Sequence, residues 1–175
     1  VKWPNDVLLV DRSSGAPGGT PLGKLAGILA ELVGGGTAGL SDGSSDGPSG
    51  SGPAVVVGMG VNVAWPAPGD EAPPGAVSLA GIGVDVDPAA LLDDVLAAFA
   101  GHLSTLDGPD GPEELRMAHL TRSTTIGRRV RVERDGTDLV GTAVDVGADG
   151  ALVVEAADGS RSRVLVGDVI HLRAD

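Results

Sequence analysis

The chain is 175 residues long, 42% hydrophobic and free of cysteine, with a formal net charge of −12. That length holds one domain plus a small second one, and the missing thiols exclude disulfides, thiolate metal sites and thiol catalysis while fitting a reducing cytoplasm. The acidity argues against non-specific nucleic-acid binding, which rests on neutralising phosphates with Lys and Arg. It leaves room for a nucleotide site built around one well-placed lysine.

Only two Trp, one Phe and no Tyr are present, so core volume has to come from Val, Leu, Ile and Ala. No apolar run reaches membrane-span length, and no basic stretch precedes an apolar signal-like segment. The chain opens at Val1 rather than at a methionine, which leaves open what stands upstream.

The first element is a strand over residues 6–10, preceded by the polar knot Lys2-Trp3-Pro4-Asn5-Asp6. Residues 11–23 are rich in Gly, Pro and Ser and read as turns; Gly15 to Gly19 does not match a phosphate loop. Residues 24–33 (KLAGILAELV) read as a second strand because Gly27 interrupts short apolar runs. Residues 34–53 are nearly all Gly, Ser, Asp, Ala and Pro, which predicts a flexible loop. Residues 54–63 (AVVVGMGVNV) predict a central strand buried on both faces.

After a Pro-rich loop, Asp87-Pro88 supplies an N-cap and a first-turn proline. Leu91, Leu92, Val95, Leu96, Phe99, Leu103 and Leu106 then follow the helical period, and Asp93-Asp94 fit its solvated face. A shorter helix is predicted from Pro112 to about Arg122.

The texture changes at residue 125. Three Asp-Gly pairs, at 135–136, 149–150 and 158–159, separate five short Val- and Leu-rich runs. Asp-Gly suits tight hairpins because the glycine accepts positive φ, so a small closed barrel is predicted over 125–175. The expected fold is therefore α+β: a mixed sheet with helices over 1–124, then the barrel.

Three strands carry polar groups at their edges: KWPND, GKLAGIL and GMGVN. Unpaired polar burial costs a few kcal/mol, so convergence of Asn5, Asp6, Lys24 and Asn62 on one face is expected. A cation suits a carboxylate or phosphate, a carboxylate suits Mg²⁺ or a ribose, and amides suit a base edge. Gly27, Gly58 and Gly60 would admit a ligand close to the backbone. Each residue also has a plainer reading: Lys24 as a strand-edge lysine, Asn5-Asp6 as a turn, Asn62 as a backbone partner. His102, His119 and His171 lack metal-ligand spacing and read as structural or solvated. Arg128, Arg129, Arg131 and Arg134 read as exposed strand residues, or as a docking patch for an acidic carrier or nucleotide.

KWPNDV, KLAGIL followed by Glu31, and GMGVNV stand in the order and approximate spacing found in biotin–protein ligases, which the chain resembles. The run ending GDVIHLR resembles the SH3-like barrel that closes the bacterial enzymes. The resemblance implies a class II synthetase-like catalytic fold, with ATP and biotin as substrates and Mg²⁺ as companion. It implies a biotin carboxyl carrier domain of an acyl-CoA carboxylase as protein partner, and admits a homodimer.

Carried over by motif, Lys24 would contact the biotin carboxylate and the adenylate phosphate. Lys2, Trp3, Asn5, Asp6, Gly27, Ile28, Gly60 and Asn62 would bind substrate, with Asp6 also a possible Mg²⁺ contact. The family's Gly/Arg-rich adenylate loop has no counterpart, since the one adjacent arginine pair is Arg128-Arg129. The chain thus reads as the C-terminal part of the catalytic domain plus the barrel. The rival readings are a lipoate or octanoate transferase, a non-catalytic fragment that binds a carrier or dimerises, and a biotin-responsive repressor, whose DNA-binding domain would lie upstream.

Overall fold

The structure is a computed structural model that describes residues 1–13, 15, 18–33, 54–67, 69–133, 137–165 and 167–172. The loop expected at 34–53, the Asp135-Gly136 turn and Arg134 fall outside the described residues.

Strands β1 (Asp6–Asp11), β2 (Thr20–Val33) and β3 (Ala54–Val61) form one sheet in the order β1-β2-β3. Both pairings are antiparallel, and the parallel component is an isolated bridge from Lys24 to Ala76. β2 begins earlier than its composition suggested. Thr20 to Gly23, expected as turn, pairs instead with Leu9 to Asp11. Pro21 is tolerated there because it lies near the strand start, where a missing N–H costs little.

β3 also departs from expectation. It is an edge strand whose Val55, Val56, Val57 and Met59 are exposed, as are Leu29 and Leu32 on β2. An uninterrupted β-branched run encodes burial on both faces, and among the described residues nothing covers these.

Helix α1 (Pro88–Leu106) starts as the sequence predicts, with Asp87 Oδ1 accepting from Ala89 N at 3.2 Å and proline in the first turn. Its apolar stripe of Leu92, Leu96, Phe99, Leu103 and Leu106 is exposed. By length and composition alone α1 is apolar enough to cross a membrane, which corrects the sequence reading that no segment approaches that length. Helix α2 (Gly111–Arg122) packs against α1 and leads into the second sheet.

That sheet holds β4 (Arg129–Glu133), β5 (Leu139–Val146), β6 (Leu152–Glu155), β7 (Arg161–Val164) and β8 (Asp168–His171), in the order β7-β6-β5-β4-β8. All its pairings are antiparallel. Alternate residues Val130, Val132, Ala143, Leu152, Val154, Val164 and Val169 point inward and form the main buried core of the described chain. The terminal strands β7 and β8 both contribute to it, so the sheet is curled on itself. Gly150 and Gly159 take φ of 80° and 81°, as the Asp-Gly turns require. Asp158 reinforces its turn by accepting from Ser160 N at 2.9 Å.

Burial beside Thr125, with Arg128 and Lys2 nearby, lowers the His171 pKa to about 4. The folded imidazole is thus neutral where the unfolded one, near 6.5, takes up a proton. The unfolded state binds more protons as pH falls from about 6.5 to about 4, so stability falls across that window, by on the order of 1–3 kcal/mol. His171→Gln should flatten this part of the pH–stability curve in urea titrations. An unchanged slope would show that the imidazole titrates normally.

Candidate active site

Both lysines of the chain, Lys2 and Lys24, reach the same carboxylate. Lys24 Nζ lies 2.6 Å from Asp6 Oδ1, and Lys2 Nζ lies 3.8 Å from Asp6 Oδ2. Asp6 is mostly shielded, at 19% side-chain exposure, whereas Lys24 keeps 51% and faces an open cleft. In a chain of net charge −12, both lysine side chains thus meet on one carboxylate.

The backbone makes this convergence. Val7 pairs with Ala26 but Leu8 pairs with Lys24, so Leu25 is an extra residue on β2. Such a bulge breaks the up–down alternation and re-aims the neighbouring side chain. It brings Lys24 onto the side of Gly27, where a Cβ would stand 3.2 Å from both Lys24 Cε and Nζ. Gly27→Val should therefore push the ammonium off Asp6, which a structure of the variant would show directly. Retention of the 2.6 Å pair would mean that the glycine is not what makes room.

Lys24, Ala26, Gly27, Gly60, Val61, Asn62, Trp65, Pro73, Pro74 and Ala76 line a cleft of about 500 Å³. Gly27 and Gly60 pair across its floor, and Asp6 pairs with Gly27 on the third strand, behind the residues that line it. Asn62 lines the cleft, but its amide also donates to Lys24 O at 3.2 Å and Val77 O at 3.0 Å, fastening the 75–77 segment to β2. Asn5 donates to Ile28 O at 2.7 Å, and its carbonyl accepts from Ile28 N at 3.0 Å. Asn5 and Ile28 thus hold the knot to β2 and do not line the cleft.

Trp3, grouped on sequence with the substrate-binding residues, does not line the cleft either. It is 4% exposed and packs in the core of the second sheet. Sequence reading missed Trp65, which stands 50% exposed at the cleft wall. Trp65-Pro66 repeats the Trp3-Pro4 pair, and an exposed tryptophan in so aromatic-poor a chain was the available signal.

Asp6 is shared between the two lysines. Both its oxygens face ammoniums, and among the described residues no three of His, Cys, Asp and Glu gather. Two of the arginines are also committed. Arg128 donates to Gly19 O, and Arg131 pairs with Glu133 and Asp138.

Residues 125–172 match the family model described as the biotin protein ligase C terminal domain. The biotin–[acetyl-CoA-carboxylase] ligase of Mycobacterium tuberculosis is 37% identical over 124 residues, which is 69% of this chain and 44% of that relative.

Among solved structures, the apo biotin protein ligase of Aquifex aeolicus superposes with a TM-score of 0.68 at 20% identity. That match covers 98% of this chain and 65% of the other. The same enzyme in complex with biotin and ATP gives 0.66 at 22% identity, covering 99% and 62%. The chain belongs to the biotin protein ligases. It spans less than half of the curated relative it matches and under two thirds of these solved structures.

Proposed function

We propose that the chain carries the lysine-bearing part of an ATP-dependent site that adenylates biotin and passes it to a lysine of a biotin carboxyl carrier domain of an acyl-CoA carboxylase. The observation that carries this reading is the Lys24–Asp6 pair over a floor of Gly27 and Gly60. Biotin's carboxylate and the ATP triphosphate repel each other, and attack on the α-phosphorus adds charge there. An ammonium fixed between them offsets both, by electrostatics and positioning. A biotin carboxylate oxygen bonds to the α-phosphorus, and the bond to the β-phosphate bridging oxygen breaks to release pyrophosphate. The carrier lysine's amine then attacks the acyl carbon and AMP departs.

Asp6 holds Lys24 in place while the cleft is empty, Trp65 offers a flat apolar wall, and Asn62 keeps the 75–77 segment over β2. Mg²⁺ belongs in this scheme with the nucleotide's phosphates, with Asp6 its one candidate carboxylate. The cytoplasm, which the cysteine-free composition suits, is the compartment we assign. The match of residues 125–172 to the ligase C-terminal domain favours this reading over a lipoate or octanoate transferase.

Exposed Val55, Val57, Leu29 and Leu32 favour a second reading, in which the chain by itself binds or dimerises without chemistry. The 175-residue chain with ATP, Mg²⁺ and biotin should release little or no pyrophosphate. Adding the portion of the Mycobacterium tuberculosis relative that the alignment leaves uncovered should restore turnover. Binding of that portion with no pyrophosphate release would favour the non-catalytic reading.

A further inference from the structure

We infer that Trp3 is a positioning residue through which the C-terminal barrel sets the Lys24–Asp6 pair. The Trp3 indole fills the barrel core beside Val130, Val146 and Leu152, and its Nε1 donates to Gly150 O at 2.9 Å. Its backbone N donates to Thr125 Oγ1 at 3.0 Å, and Thr125 is itself fully buried and bonded to His171 Nε2 at 3.2 Å. Thr124 N adds a bond to Val1 O at 2.7 Å. The first three residues are thereby built into the barrel, although they are more than 120 positions away in sequence.

Residues 2–6 form a short closed loop. Lys2 N donates to Asp6 O at 2.8 Å, and Asp6 N to Lys2 O at 3.0 Å. Trp3 directly follows the base of this loop, where Lys2 and Asp6 pair, and those two residues are in contact range of Lys24 or its carboxylate partner. Two short bonds across so small a loop leave little slack between the indole and the Asp6 carboxylate. The 2.6 Å contact to Lys24 tolerates displacement poorly, because such bonds weaken steeply with distance and angle. Anchoring the indole in a different sheet ties the ammonium's location to the barrel being folded and docked.

The full chain, labelled with ¹⁵N-lysine, reports on this without any catalysis, because its two lysines give two ammonium signals. Lys2→Arg assigns them, and Asp6→Asn gives the position of an unpaired Lys24 ammonium. Trp3→Ala should move the Lys24 signal to that unpaired position and speed its exchange with water, while the Val130 and Val154 amides stay dispersed. Trp3→Phe, which keeps an aromatic ring in the core, should restore most of the original position.

A Lys24 signal that stays put in Trp3→Ala, with the barrel folded, overturns the inference. Should that variant unfold the barrel, Thr125→Val removes the acceptor of the Trp3 N–H, together with the His171 Nε2 partner, and leaves the indole itself in the chain. The same shift is expected there, and its absence overturns the inference equally. The inference rests on the ligase reading only for its consequence in catalysis. Failure of the completed protein to turn over would sink that reading and leave these signals as they are.

Discussion

Lys24→Ala, made in a ligase completed by the portion this chain does not span, should slow biotinyl-adenylate formation by on the order of 10²–10³-fold. Among the described residues, the ammonium is the one cation that both reaches Asp6 at hydrogen-bond distance and lines the cleft. Its removal takes away the fixed countercharge that this chain supplies to the two facing anions. Lys2 offers no replacement, since it stands 3.8 Å from the far oxygen of Asp6 and does not line the cleft. The loss should fall mainly on the chemical step, because charge grows at the α-phosphate as the bond forms. Lys24→Arg keeps the charge but enlarges the head group beside Gly27, so it should recover only part of the rate. Single-turnover release of pyrophosphate separates this from substrate binding. A Lys24→Ala enzyme releasing pyrophosphate at the parent rate would reduce Lys24 to a strand-edge lysine.

Where local chemistry decides structure, the sequence was readable. Asp87-Pro88 began its helix, and Asp149-Gly150 and Asp158-Gly159 closed their hairpins, because capping and positive φ depend on neighbouring residues alone. The KLAGIL strand followed from Gly27 between short apolar runs, and the approach of Lys24 to Asp6 from polar groups set beside apolar strands. What could not be read depends on distant partners. The extra residue at Leu25 exists only relative to β1, so the turn of Lys24 onto the Gly27 side has no local signature. Trp3 sits in the KWPND string, yet its packing partners begin at Val130. The apolar run of β3 encodes burial on two faces, and the described residues supply cover for neither. Thr20 to Gly23 read as turn because Gly and Pro dominate there, but pairing with β1 overrides that local preference.

Leu152→Ala should destabilise the barrel by about 2–5 kcal/mol, the usual cost of emptying a leucine-sized site in a packed core. Leu152 is fully buried, faces Val146 and Val164 across its two strand partners, and shares the cluster with Trp3. Val, Ala and Leu make up nearly all of that core, so few large side chains remain to collapse into the gap. A sheet this small buries little surface per residue, and a loss of that size takes most of its margin. Leu152→Met, which roughly conserves volume, should cost less than about 1.5 kcal/mol. Tryptophan fluorescence in urea reads the effect. Trp3 is buried, whereas Trp65 is half exposed and contributes a background that Trp65→Phe removes. In the Trp65→Phe background, Leu152→Ala should shift the reddening of Trp3 emission to lower urea, and Leu152→Met should leave it near the parent. A midpoint unmoved by Leu152→Ala would mean that Trp3 is held by something other than the barrel core, and the link between the two sheets would have to be sought elsewhere.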